Sequence, residues 1–149
     1  MSAARPVVVG IDGSADARRA MCLAAEYALA LRSDLVIVHA VGLTEVVDGR
    51  RVVAEGHGAE IAAQFATWCD AVRECGLEEW TPVLDDGAPV DTILRVAEDV
   101  DAALVVVGRQ GSGKRPELLL GSTAHQIAEN SPRPVMVVPP IGRATHPVG

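Results

Sequence analysis

The sequence predicts an α/β fold, an open and doubly wound parallel sheet of five strands in the order 3-2-1-4-5. Three observations carry this prediction. Short runs of Val, Ile and Leu alternate with longer amphipathic segments along the 149 residues, which calls for parallel βαβ units with right-handed crossovers. Most of these runs are continuously apolar, as strands buried on both faces must be. The third run is weaker and contains Pro82, which removes a ladder donor and so belongs at a sheet edge.

Each element has its own justification. Pro6 to Ile11 is the first strand, ending in Asp12-Gly13-Ser14. Ser14 caps a helix that runs to about Arg32, with Asp16 in the first turn where the dipole is positive. Ala20, Met21, Leu23, Ala24, Tyr27, Ala28 and Leu31 form its apolar stripe. Leu35 to Val41 is the second strand. Gly42 to about Gly56 reads as irregular and is longer than most βα connections, so it is expected to be a lid or a disordered loop. A second helix runs from about Gly58 to Cys75, with Ile61, Phe65, Trp68 and Val72 on one face, and stops at Gly76.

Trp80 to Leu84 is the third strand. Pro89 opens a third helix at the position where a missing N–H does no harm, and Val90, Ile93, Leu94 and Ala97 face the core. Ala103 to Gly108 is the fourth strand, followed by a glycine-rich loop and a helix from about Ser122 to Asn130. Pro134 to Val138 is the fifth. Residues 1–140 are read as one domain, and 141–149, beyond Pro139-Pro140, as a disordered tail.

Composition narrows the function classes. A hydrophobic share of 49% excludes wholesale disorder, and 3% aromatics leaves no stacking platform for single-stranded nucleic acid. A net charge of −7 argues against duplex DNA and anionic membranes, which need clustered Lys and Arg. No apolar run approaches the ~20 residues of a membrane span, and no signal-peptide core is present, so a cytoplasmic protein is expected. Cys22, Cys69 and Cys75 are odd in number and lack a C-x-x-C pair. They read as three buried thiols, with neither a disulfide framework nor a zinc site expected. His57 and His125 have no Cys or His partner at ligand spacing.

In strand order 3-2-1-4-5 the topological switch lies between the strands ending at Asp12 and Gly108, where ligands of such sheets bind. The segment Gly108-Arg-Gln-Gly111-Ser-Gly113-Lys114-Arg115-Pro116 to Gly121-Ser122-Thr123 falls there. Gly121, Ser122 and Thr123 at a helix start offer backbone N–H groups, two hydroxyls and the positive end of a dipole, a phosphate cradle. Gly108 and Gly111 let the backbone approach sugar and phosphate closely. Asp12 is placed to accept from ribose hydroxyls or to help hold a metal, with Gly13 and Ser14 completing its turn.

Two other nucleotide motifs fail. Gly108 to Lys114 approaches a Walker A loop, but Arg115 stands where Ser or Thr should hold magnesium, and Pro116 breaks the helix that should begin there. The dinucleotide pattern G-x-G-x-x-G fails at Pro116. A phosphorelay receiver would need an acidic pair after the first strand, and only Asp12 is present. What matches is G-x2-G-x9-G-[ST], from Gly108 and Gly111 to Gly121-Ser122, with a chance occurrence on the order of one in two hundred at average glycine usage.

With Val-Val-Val-Gly-Ile-Asp12-Gly-Ser at the start and an aliphatic strand flanked by prolines at the end, this spacing resembles the universal stress protein family from Pro6 to Pro139. The resemblance implies a Rossmann-like fold of the adenine nucleotide alpha hydrolase type, ATP as ligand, magnesium carried with it, and a regulatory role in stress response. It also implies that Asp12 meets the ribose or metal and that Gly108 and Gly111 meet ribose and α-phosphate. Gly121, Ser122 and Thr123 would meet the phosphates, and the Ala40 backbone the adenine edge. The chain departs from the family at Thr123, where Val is common, and at Gln110, where a basic residue or His is frequent. Neither change removes a backbone donor.

His39 lies beside the expected adenine site but reads as a packed structural histidine; Ser14 reads as a cap, and Lys114-Arg115 as a solvated rim. Arg50-Arg51 could reach phosphates from the long connection. The last strand, Val135 to Val138, is apolar yet an edge, so pairing with the same strand of a second copy is expected to cover it. Three functional readings remain: a nucleotide-dependent regulatory module with an unknown protein partner, a slow ATPase, and a dimeric interaction scaffold with a vestigial pocket. ATP and another adenine nucleotide such as cyclic AMP both suit a turn that reads phosphate.

Overall fold

The computed structural model describes residues 4–42, 44–48, 50–53, 58–110 and 120–140. In chain order it contains β1 (Ala4–Gly10), α1 (Ala15–Leu31), β2 (Ser33–Ala40), β3 (Thr44–Val47) and β4 (Arg50–Val53). These are followed by α2 (Gly58–Asp70), a 3-10 turn (Ala71–Cys75), β5 (Thr81–Asp85) and α3 (Pro89–Asp99). The chain then forms β6 (Leu104–Gly108), α4 (Ser122–Asn130) and β7 (Val135–Val138).

The main sheet runs β5-β2-β1-β6-β7, all pairings parallel, which is the predicted order 3-2-1-4-5. Pro82 sits on edge strand β5 opposite Ile37, as its missing donor requires. Successive strand residues point to opposite faces, so each apolar run feeds two cores. Val7, Val9, Leu35, Ile37 and Val106 pack with α1 and α2 on one side. Val8, Val36, Val38, Val105 and Val107 pack with α3 and α4 on the other.

Helix α1 lies on the sheet through Ala17, Ala20, Met21, Ala24, Ala25 and Ala28. This face is narrower than the predicted stripe: Tyr27 and Leu31 are 41% and 48% exposed. A row of alanines brings the helix axis close to the strands, and residues on its flanks are then lifted clear of the core.

Three further expectations are corrected. The stretch read as irregular, Gly42 to Gly56, holds an antiparallel hairpin pairing Thr44 with Val53 and Val47 with Arg50. Asp48, at φ 52°, helps turn the chain there. The second helix ends at Asp70 and tightens into the 3-10 turn, a common way for a helix to close. Cys22 and Cys75, read as thiols, are joined in a disulfide across 53 residues, with Cα atoms 5.4 Å apart. The turn packs on α1, and no count of cysteines registers that approach. Cys69 alone is a free, buried thiol, as expected. The predicted tail, 141–149, lies outside the described residues.

Candidate functional site

Neighbouring strands β1 and β6 send their chains to opposite faces of the sheet, to α1 and α4 respectively. A crevice must open between the two departures. It is a cleft of about 350 Å³ at the carboxyl ends of β1, β2 and β6. Predicted residues Asp12, Ser14, Ala40, Gly108, Gly121, Ser122 and Thr123 all line it. Gly111 lies outside the described residues, as do Lys114, Arg115 and His57.

The first wall is the turn after β1. The Ser14 N–H donates to Asp12 Oδ1 at 3.0 Å, and the Ser14 hydroxyl accepts from the Ala17 N–H at 3.1 Å, so Ser14 is the cap it was read to be. Gly13 does not line the cleft. It bends the turn at φ 81° on the opposite side, beneath the Trp68 indole.

The second wall is the end of β6 and the start of α4. Gly121 is the N-cap of α4 in extended conformation, with no side-chain cap bond. Ser122, Thr123 and Ala124 therefore bring the first helical N–H groups to the cleft, with the positive end of the helix dipole. The described residues on either side of 111–119 are fastened: the Gly121 N–H donates to the Arg109 carbonyl at 2.7 Å, and the Gln110 N–H donates to Asp16 Oδ2 at 3.1 Å. A Cβ on Gly108 would stand 2.9 Å from the Asp16 carbonyl carbon. Gly108 thus admits the first turn of α1 as well as opening the cleft.

The third wall is the end of β2 with the start of α3. The N–H groups of Val41 and Gly42 donate to the carbonyls of Asp85 and Gly87, at 2.8 and 3.2 Å. The Gly87 N–H and the Arg95 guanidinium hold the Asp85 carboxyl below the usual carboxylate range, so this rim is tied by a charged residue. His39 Nδ1 lies 2.8 Å from the Ile11 carbonyl. A carbonyl only accepts, so that nitrogen donates. The His39 ring stacks on Phe65 and meets the edge of Trp68, the packed role expected of it.

The sequence reading missed Pro89 and Ile93, which wall the cleft from α3, and Arg109, which lines it from the end of β6. Pro89 was legible as a helix opener. Every helix that follows a strand in such a sheet begins on the carboxyl side, and that rule was enough to bring Pro89 to the cleft. Among the described residues no group of three or more His, Cys, Asp or Glu side chains could hold a metal. His125 pairs instead with Glu129 on its own helix at 3.2 Å. No helix among them is long and apolar enough to cross a membrane.

Known proteins share this fold. A universal stress protein of Thermus aquaticus is 28% identical over 134 residues, covering 90% of this chain and 98% of its own. A crystal structure of a universal stress protein in complex with cAMP is 31% identical with a TM-score of 0.71, covering 94% of this chain and 100% of that one. The universal stress protein from Archaeoglobus fulgidus in complex with dAMP, 24% identical with a TM-score of 0.67 over 90% of this chain and 97% of its own, has the same fold. The family model for the universal stress proteins matches residues 3–139, which span the whole main sheet and all three walls of the cleft, and the chain belongs to that family.

Proposed function

We propose that the cleft binds an adenine nucleotide, ATP first among them, and that the protein is a cytoplasmic, nucleotide-dependent regulatory module in stress response. The observation that carries this reading is the convergence of the uncapped α4 N-terminus with the Asp12 turn in one cleft of nucleotide size. The complex of a 31% identical relative with cAMP supports the adenine class. At the end of β2, two backbone donors are already committed to Asp85 and Gly87. The 6-amino group of adenine brings a donor of its own to that rim, whereas guanine presents a carbonyl at the same ring position and carries its donors, N1–H and the 2-amino group, elsewhere on the edge.

Asp12 is the one carboxylate among the described cleft-lining residues. Magnesium would therefore be held chiefly by the phosphates, with Asp12 beside it. No pair of described cleft side chains is arranged as nucleophile and base, so the reading is binding rather than turnover. Bound nucleotide would act by favouring one arrangement of the surface that a protein partner meets.

The test is direct. Acid-denatured protein should release an adenine nucleotide on anion-exchange chromatography, and apo protein titrated with ATP, cAMP and GTP should bind ATP about tenfold more tightly than GTP, the effect of one unmatched buried hydrogen bond. Native and nucleotide-soaked samples that retain nothing would overturn the reading. Accumulation of ADP with magnesium would replace it with the ATPase. The edge strand β7, Val135–Val138, is proposed to pair with its copy in a homodimer. Sedimentation at micromolar concentration should give twice the chain mass, and a monomer would refute the pairing.

A further inference from the structure

The disulfide and the nucleotide turn are parts of one mechanical chain. Cys75 closes the 3-10 turn that continues α2, and its partner Cys22 sits on α1. One helical turn before that 3-10 segment, Trp68 lies against Gly13 so closely that a Cβ there would stand 2.3 Å from the indole. Trp68 also meets His39, whose ring nitrogen is bonded to the Ile11 carbonyl. Ile11 and Asp12 both line the cleft. The cross-link thus fixes the far end of the element that presses on the first wall of the cleft. Among the described residues, α1 and this turn are also joined by the exposed Arg18–Glu74 pair at 3.5 Å, and an exposed pair holds weakly.

We propose that Cys22 and Cys75 are a reversible thiol–disulfide switch that sets how Trp68 bears on the Asp12–Ser14 turn, and through it the affinity of the cleft for nucleotide. The co-reactant is a low-molecular-weight thiol–disulfide couple. In reduction, a thiolate of the couple attacks one sulfur, the Cys22–Cys75 bond breaks, and the other sulfur leaves as a thiolate that takes a proton. A second thiol attacks the mixed disulfide and frees the remaining cysteine. Two thiols of the couple become one disulfide, and the protein gains two electrons and two protons.

Both cysteines are only partly buried, which leaves them within reach of small thiols. Cys69, in contrast, is buried, and that burial with the neighbouring Asp70 pushes its thiol up to about 11. It stays protonated near neutral pH and does not compete for either partner. The effect on nucleotide rests on the proposed function; the switch itself does not.

The experiment uses the full chain in a Trp80→Phe background, so that Trp68 is the sole indole. Samples are equilibrated across glutathione buffers, unfolded, and counted for thiols by maleimide mass tagging. Trp68 emission and ATP affinity are read on the same samples. Expected are one thiol at the oxidising end and three at the reducing end, a Trp68 emission shift in step with that change, and ATP affinity about fivefold weaker when reduced, at the low end of usual coupling between sites. Cys69→Ser should behave the same with one thiol fewer, and a Cys22→Ser/Cys75→Ser chain should respond to neither buffer.

Three thiols at every buffer ratio would overturn the switch, as would identical Trp68 emission in both forms. Thiol and Trp68 responses without ATP binding in either form would instead remove the nucleotide reading and leave the redox element standing.

Discussion

A Gly121→Asp chain is expected to bind ATP about a hundredfold more weakly than the native protein while melting at the same temperature or slightly higher. The separation of binding from stability follows from the cap. Gly121 has φ −62° and ψ 156°, which any L-residue adopts, so the substitution carries no backbone strain. Its N–H keeps its bond to the Arg109 carbonyl. Asp is among the preferred N-cap residues, and its carboxylate accepts from the first-turn N–H groups of α4. Those are the donors on which the proposed phosphate site depends. The variant therefore fills the site with an anion of its own and sets a like charge beside any phosphate that enters. Helix-end charge terms of up to ~2 kcal/mol, with repulsion between charges a few ångströms apart, reach the hundredfold scale. Isothermal titration and thermal melting of native, Gly121→Asp and Gly121→Ala chains decide it. Gly121→Ala should stay within a few-fold of native, and Gly121→Asp binding at native strength would remove α4 from the site.

The α4 end of the cleft was partly legible in the sequence, because Gly121-Ser122 stands at a fixed distance from Gly108 and ahead of a short helix. Pro82 was legible for the same kind of reason: one missing donor admits few positions in a sheet, and this alone put its strand at the edge. Elements that rest on local chemistry were readable. The meeting of Asp12 with Gly108 and Gly121 was readable as well, because strand order alone fixes the switch point. What depends on how particular side chains settle between packed elements was not. The Cys22–Cys75 bridge is set by how a 3-10 turn settles on α1, 53 residues away in sequence. Pro89, by contrast, was within reach of the rule that helices after strands begin on the carboxyl side, and it was passed over with Ile93 because the start of their helix carries no phosphate motif.

The hairpin β3–β4 is a different case, since its signal was present and passed over. Asp48-Gly49 lies between two short valine-bearing runs, and an Asp-Gly pair is a strong hairpin turn signal. Tyr27 and Leu31 show the opposite error. Periodicity put them on the apolar stripe, but the alanines of α1 had already filled the face that meets the sheet.

Gly13 ties these levels together, and replacing it should have the largest effect on stability. Gly13→Ala is expected to destabilise the protein by about 3–4 kcal/mol. At φ 81° a side chain costs about 1–2 kcal/mol. The added methyl would also stand 2.3, 2.7 and 2.8 Å from three atoms of the Trp68 ring. An aromatic ring cannot yield one atom at a time, and Trp68 is braced by His39, itself stacked on Phe65. Overpacking of this kind typically costs 1–3 kcal/mol. Either the turn moves and carries Asp12 with it, or α2 lifts from the sheet. The two contributions separate in a double-mutant cycle with Trp68→Ala measured by urea unfolding. In the Trp68→Ala background the ring overlap is gone, and Gly13→Ala should cost only the backbone share. An equal cost in both backgrounds would show that Trp68 does not bear on the turn, and would break the path by which the α2 end of the molecule reaches the cleft.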